Sequence, residues 1–102
     1  MGIDLRWEDE RGEQLAELLD PGFLVERFLP PLDSREFSCL RFVDPVGDTT
    51  INQAQISEVV YELERLSAKR REPRVEAHLR AVLEFVRPAV GKTHTYIKFY
   101  GD

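Results

Sequence analysis

The densest group of side chains that could do chemistry in this 102-residue sequence lies in residues 41–55, RFVDPVGDTTINQAQ. Asp44 and Asp48 supply carboxylates and Thr50 supplies a hydroxyl, between a predicted strand and a predicted helix. Free N–H groups at a helix start attract anions, but the two carboxylates would repel a phosphate. The loop has too few oxygen ligands for a calcium ion, and its spacing differs from the EF-hand pattern. If His94 met these residues in one pocket, they would form the site of a small hydrolase or ligand-binding protein.

Local backbone structure explains most of the same stretch. Asp44, Pro45 and Gly47 stand at the positions that these residue types prefer in a type I turn. Asn52, followed three positions later by Gln55, forms a capping box, in which each side chain accepts a hydrogen bond from the other residue's backbone amide. The sequence therefore favours a structural role for this loop over a ligand-binding role.

The two histidines and the single cysteine add little chemistry. No pair among Cys39, His78 and His94 has the spacing of a metal motif such as CxxC or HxxxH. His78 is predicted at the boundary of a helix's apolar stripe, half exposed. Cys39 is predicted inside a core strand, where apolar surroundings raise the pKa of a thiol and leave it unreactive. The sequence also lacks the GxSxG, GxxxxGK(S/T) and dinucleotide-binding motifs, so we expect no catalytic residue, no metal and no cofactor.

Length, charge and hydropathy restrict the classes of partner. The length fits one domain over residues 1–102. The net charge of −5 and the pI near 5.1 argue against nucleic acid, because its phosphates bind clustered lysines and arginines. No apolar run approaches the ~20 residues of a membrane helix, and the start MGIDLRWEDE does not resemble a secretory signal. A lone cysteine fits a reducing cytoplasm, which is the predicted location.

Alternation of apolar and polar side chains predicts the strands. Residues 2–8 and 93–100 alternate strictly, and residues 9–12 suit a turn that leads into a second strand over 13–19. The segment EQLAELL also has good helical propensity, which leaves a helix there as the alternative. Residues 37–43, FSCLRFV, are apolar on both sides, which is typical of a strand in the middle of a sheet.

Helical spacing of apolar residues predicts a short helix over residues 21–29, capped by Asp20, and two long helices over 52–71 and 73–87. The resulting order is β-β-(α)-β-α-α-β. Because two helices follow one another between strands, this order predicts an α+β fold, with the helices packed on one face of a mainly antiparallel four-stranded sheet.

Outward tyrosines are the candidate partner-binding residues. Tyr61 lies about 160° from the apolar stripe of the first long helix, on the same outer face as Arg65. Tyr96 and Tyr100 lie on the face of the last strand that points away from its core side. Exposed aromatic surface of this kind is typical of contact with a protein partner or a second copy of the chain. In the alternative arrangement, residues 23–36, rich in Phe and Leu, fold over the tyrosines.

Three segments, MGIDLRWEDERGEQLAELLDP, LRFVDPVGDTTINQAQ and THTYIKFYGD, resemble a family of small bacterial proteins of unassigned function. The resemblance spans most of the chain. It implies a bacterial cytoplasmic origin, and it implies no activity, cofactor or catalytic residue. In size and charge alone, the chain is also similar to immunity proteins, which neutralise toxins.

Two functions follow as expectations from these observations. The first is a non-catalytic cytoplasmic domain, immunity-like or regulatory, that binds a protein partner or itself through the outward tyrosines and Arg65. The alternative is a small hydrolase or ligand-binding protein with a polar site in residues 44–52 near His94.

Overall fold

Four antiparallel strands form a single sheet in the order β2-β1-β4-β3. The computed structural model describes residues 2–101. The strands in chain order are β1 (Asp4–Asp9), β2 (Gln14–Leu18), β3 (Asp48–Ile51) and β4 (Thr95–Tyr100). The helices are α1 (Ile56–Ser67) and α2 (Pro73–Val86), and single 3-10 turns occupy Leu40–Phe42 and Arg87–Ala89. The predicted α+β class and the predicted order of elements are confirmed.

The core lies between one face of the sheet and the two helices. Leu5 pairs with Phe99, and Trp7 pairs with Ile97, in the β1–β4 ladder. Leu5, Phe99 and Ile97 are completely buried, as the alternating pattern of both strands predicts. The helices bury the stripes Ile56, Val59, Leu63 and Leu66 (α1) and Val75, Leu79, Val82, Leu83 and Val86 (α2). Full burial of such a side chain stabilises the fold by about 1.5–3 kcal/mol.

The hairpin that joins β1 to β2 forms as predicted. The carboxylate of Asp9 accepts hydrogen bonds from the backbone amides of Arg11 and Glu13, each at 2.9 Å. Gly12 has φ +80°, a conformation that is unfavourable for residues with a Cβ atom. The DERG sequence therefore turns the chain, and residues 14–18 return as a strand rather than a helix.

The prediction of a central strand over residues 37–43 is wrong. This segment forms turns and a 3-10 turn, and the third strand is β3, a four-residue strand at the edge of the sheet. The reason is that the backbone amides of Cys39 and Leu40 donate to the side chain of Glu62 instead of to a neighbouring strand. The segment's apolar residues fill the core without forming a sheet, and the central strands are β1 and β4.

Residues 21–29 form turns rather than the predicted short helix. Leu24, Val25 and Phe28 are buried, so the helical spacing correctly identified the core residues of the segment. Asp20 therefore caps no helix; its carboxylate instead accepts from the amides of Leu24 (2.7 Å) and Val25 (3.2 Å) and closes these turns. The same carboxylate accepts from the amide of Ile3 at 2.9 Å, which ties the segment to the start of the sheet.

Both long helices occupy their predicted regions, although α1 is shorter than the predicted range 52–71. The predicted capping box forms one turn before the helix. The Asn52 amide donates to the Gln55 side chain at 3.0 Å, and the Gln55 amide donates to the Asn52 side chain at 3.1 Å. Over residues 2–101, neither helix combines the length and the apolar character that crossing a membrane requires.

Candidate functional site

The four residues of the predicted polar site do not meet in one pocket. Asp48 pairs with Tyr100 at one end of the β3–β4 ladder. The amide of His94, just before the first residue of β4, donates to the Gln53 side chain at the opposite end. The exposed imidazole of His94 is instead 3.1 Å from a carboxylate oxygen of Glu10.

The remaining two residues of that prediction lie in separate surroundings. Thr50 faces Lys98 on the outer side of the sheet. Asp44 forms the predicted turn, because its side chain accepts from the Val46 amide at 3.0 Å and its backbone oxygen accepts from the Gly47 amide. The Asp44 amide donates to Thr49 Oγ1 at 2.9 Å. These contacts account for the loop as a turn that leads into β3.

Glu62 is a buried carboxylate that sequence reasoning missed. Its side chain is completely buried on α1 and accepts hydrogen bonds from Ser38 Oγ (3.2 Å), the Cys39 amide (3.1 Å) and the Leu40 amide (2.9 Å). The sequence does contain a signal, since Glu62 follows Val59 by three positions and therefore lies on the apolar face. An acid on that face needs donors from elsewhere in the fold.

Cys39 is buried beside Glu62. Burial, reinforced by the Glu62 carboxylate, raises the pKa of the Cys39 thiol, so the reactive thiolate is disfavoured. Within residues 2–101, no group of three or more His, Cys, Asp or Glu side chains could hold a metal ion. The hydrogen bonds to Glu62 fix the loop before β3.

Asp20 and His78 form a second buried polar contact. His78 Nε2 is 3.4 Å from Asp20 Oδ1, and the His78 side chain is only 11% exposed, more buried than its predicted boundary position. The Asp20 side chain is fully buried, and backbone amides already occupy both of its oxygens. His78 Nε2 has no hydrogen-bond partner among residues 2–101, so the 3.4 Å contact places the 20–25 turn beside α2 without a hydrogen bond between them.

The outer face of the sheet, which the helices do not cover, carries a linked set of charged and aromatic groups. The Tyr100 hydroxyl donates to Glu8 Oε2 at 2.5 Å, and Lys98 Nζ is 3.4 Å from Glu8 Oε1. The Arg6 guanidinium lies over the Tyr100 ring, 4.5 Å from its centre. Burial and the bond to Glu8 raise the pKa of Tyr100, and the Glu8 charge raises the pKa of Lys98.

Tyr96 and Tyr100 both lie half-buried on this outer face, and residues 23–36 do not fold over it. Leu24, Val25 and Phe28 are buried in the core instead. The shallow hollow beside Tyr96 is lined entirely by residues of the sheet strands and the β1–β2 turn. Phe23 does lie beside this face, since it shares a hollow with Tyr100 at the sheet's end.

Tyr61 and Arg65 lie on the opposite side of the molecule, next to the long loop that precedes β3. Tyr61 is 55% exposed. The Arg65 guanidinium lies 5.3 Å from the centre of the Phe37 ring and 5.8 Å from the centre of the Tyr61 ring. The predicted outward face of α1 is therefore continuous with the loop that contains Phe37.

Residues 29–32, Leu-Pro-Pro-Leu, separate two hollows on this side; we call them the proline segment. The first, the apolar hollow, has a volume of about 420 Å³ and is lined by Glu26, Leu29, Pro30, Pro31, Leu32, Arg41, Phe42, Val43, Asp44 and Pro45. Leu32 is 63% exposed and Phe42 is 54% exposed. Arg41 links them, because it donates to the Leu32 carbonyl at 2.7 Å and stacks on the Phe42 ring.

The second hollow, which we call the cationic hollow, lies between the proline segment and the end of α1. Its volume is about 300 Å³, and it is lined by Arg27, Phe28, Leu29, Pro30, Pro31, Ser34, Phe37, Arg65, Leu66, Lys69 and Arg71. The two hollows share Leu29, Pro30 and Pro31. Together with Tyr61 they form one surface, which sequence reasoning identified only at Tyr61 and Arg65.

No protein-family model, curated protein or solved structure matches the chain.

Proposed function

We propose that this protein is a non-catalytic module that binds a protein partner through the proline segment and the two hollows beside it. The observation that carries the proposal is the exposure of Leu32, Phe42 and Tyr61, each by more than half. Leu32 and Phe42 line the apolar hollow, which shares the proline segment with the cationic hollow, and Tyr61 adjoins the cationic hollow through Arg65. Contiguous apolar and aromatic surface on a small protein is typical of a binding site for another protein. Tyrosine and arginine are also enriched at such sites.

The rigidity of this surface supports the same function. The loop before β3 is anchored to α1 by the buried Glu62, and Arg41 fixes the backbone of Leu32. The two adjacent prolines restrict their own backbone further. A surface that is ordered before binding loses less conformational entropy when a partner docks.

The outer face of the sheet supports a partner less well, although Tyr96 and Tyr100 belong to it. The charges of this face are already paired within the chain, with Lys98 on Glu8 and Arg6 on Glu17. A partner that docked there would have to displace or desolvate these pairs, which is unfavourable unless it replaces their contacts. We therefore assign the primary partner contact to the proline segment side.

Nothing in the geometry favours the alternative of a small hydrolase or ligand-binding protein at residues 44–52. Such a site needs its acid, base and binding groups around one concave space. Asp44 lines the apolar hollow, Thr50 lines a hollow on the outer face of the sheet, and His94 lines neither. Instead, we propose that the protein binds its partner in a bacterial cytoplasm, in an immunity-like or regulatory role.

Affinity capture from native bacterial lysate tests the proposal, with bound proteins quantified by mass spectrometry and the complex sized by light scattering. The test variant is Leu32→Ser/Phe42→Ser. The matched control is Leu15→Ser/Val90→Ser, which removes two exposed apolar side chains elsewhere. We expect a stoichiometric partner, or a second copy, that the control retains and the test variant loses. Equal loss in both variants, or no stoichiometric partner, would contradict the proposed function.

A further inference from the structure

The cationic hollow concentrates positive charge in a chain whose net charge is −5. Four of its lining residues are cations, namely Arg27, Arg65, Lys69 and Arg71, and none is a carboxylate. Of these four, only Arg27 forms an ion pair within residues 2–101, with Glu72 at 3.0 Å. The local charge is therefore opposite in sign to that of the molecule.

Capping of the C-terminus of α1 explains why one of these cations is present, but not the others. Arg71 donates to the backbone carbonyls of Leu66 and Lys69, so it caps the C-terminus of α1. Arg65 stacks on Phe37, and this stacking orients its guanidinium without neutralising it. The ammonium group of Lys69 has no carboxylate partner among the described residues. Arg65 and Lys69 thus remain as uncompensated cations.

Apart from Ser34, the rest of the lining is apolar. Phe28, Phe37 and Leu66 are joined there by Leu29 and the two prolines. At about 300 Å³ the hollow is at the lower limit for a small-molecule site, so it suits an anchoring side chain better than a whole cofactor. Its chemistry is complementary to an apolar side chain that has acidic groups on both sides.

We propose that the cationic hollow recognises an acidic peptide segment of the partner, with one apolar side chain seated against Phe37 and Leu66 and with flanking carboxylates on Arg65 and Lys69. This inference rests on the proposed function and specifies the chemistry of the partner. Charge complementarity of this type increases the association rate and the selectivity of an interface. It also makes the affinity fall as salt concentration rises, because exposed charges are screened.

A peptide array tests the inference on the intact protein. Each peptide has a variable central residue flanked on both sides by aspartate and glutamate, and parallel sets replace the acids by lysine or serine. Fluorescently labelled wild-type protein, Lys69→Glu and Lys92→Glu are applied separately. Lys92→Glu is the matched control because Lys92 is exposed in the segment before β4 and does not line the hollow. A spot of single-stranded oligothymidine tests whether the protein binds the phosphates of a nucleic acid instead.

We expect the acidic peptides with a central Leu, Phe, Met or Trp to bind about tenfold more strongly than the lysine and serine sets. Lys69→Glu should reduce this binding by about tenfold, while Lys92→Glu should leave it unchanged. Equal binding to all three sets, equal effects of the two variants, or stronger binding to oligothymidine would overturn the inference. If the array failed while Leu32→Ser/Phe42→Ser still lost its captured partner, only the acidic recognition would be wrong, and the proposed function would stand.

Discussion

The backbone nitrogen of Leu40 lies 2.9 Å from a carboxylate oxygen of Glu62, which is 22 positions away in the chain. This contact joins the loop before β3 to the middle of α1. Because Phe37 and Phe42 flank the anchored residues, the same contact positions both hollows of the proposed binding surface. A single buried carboxylate thus connects the stability of the fold to the shape of the surface.

Replacing Glu62 should destabilise the protein strongly. Glu62→Ala leaves two buried backbone amides and one hydroxyl without their acceptor, and we expect the free energy of unfolding to fall by about 3 kcal/mol. Glu62→Gln keeps one acceptor oxygen and should cost about 1–2 kcal/mol. Urea denaturation measures both values. Glu58→Gln is the matched control because Glu58 is exposed on the same helix, and a loss equal to that of Glu62→Gln would contradict this account.

The Cys39 thiol should resist alkylation in the folded protein. Its pKa is raised by burial and by Glu62, so little thiolate is present at neutral pH, and the residue is only 9% exposed. We expect iodoacetamide to label native protein far more slowly than urea-unfolded protein. Glu62→Gln should accelerate labelling of the native state, because it removes the neighbouring charge and weakens the loop. Labelling of native wild type at the unfolded rate would show that Cys39 is exposed.

Replacing Asp20 should lower the free energy of unfolding about as much as replacing Glu62 does. Its carboxylate accepts from the amides of Ile3, Leu24 and Val25, so Asp20→Ala leaves all three donors unsatisfied. We expect a loss of about 3 kcal/mol, and a smaller loss of about 1–2 kcal/mol for Asp20→Asn. Thermal and urea unfolding measure these changes. Asp33→Ala, at an exposed position, is the control, and equal effects of Asp20→Ala and Asp33→Ala would refute the assignment.

Stability should decrease at alkaline pH because of Tyr100 and Lys98. The pKa values of both groups are raised in the fold, above ordinary values of 10.0 and 10.5, so the folded state holds these protons more tightly than the unfolded state. Their stabilising contribution is complete below the ordinary values and is lost as the pH rises through the raised values. We expect the free energy of unfolding to fall above about pH 10, and the fall to be shallower in Tyr100→Phe.

The matched control for this pH series is Tyr96→Phe, which changes a tyrosine on the same face of the same strand. At neutral pH, Tyr100→Phe should lose about 1 kcal/mol through the missing bond to Glu8. Urea unfolding at several pH values gives both measurements. Parallel pH curves for wild type and Tyr100→Phe would show that the Tyr100 hydroxyl is not linked to stability.

The sequence was a good guide wherever a segment buries one face. Strict alternation identified β1 and β4, and the apolar stripes identified α1 and α2. It failed for residues 37–43, because apolar composition alone does not distinguish a central strand from a loop whose amides bind a buried carboxylate. It also missed β3, whose short sequence DTTI is a strand only because β4, more than forty residues later, supplies its hydrogen-bond partners.

The candidate surface could be predicted only in part. The outward positions of Tyr61 and Arg65 follow from helical geometry alone. Leu32, Phe42 and the proline segment join them through contacts that depend on Glu62 and on the path of the loop. No local pattern in the sequence specifies such long-range contacts, so the two hollows could be identified only from the folded structure.

At the centre of the sheet, β1 lies beside β4, and the hydrogen bond from Tyr100 to Glu8 spans 92 positions. A nascent chain can therefore form the β1–β2 hairpin and the helix pair early, but it cannot complete the sheet until β4 has left the ribosome. Until then, the hydrogen-bonding edge of β1 that later faces β4 stays open, and open edges attract other strands. Folding of this protein is thus expected to be slow for its size, since the β1–β4 pairing at the centre of the sheet joins segments with a large sequence separation.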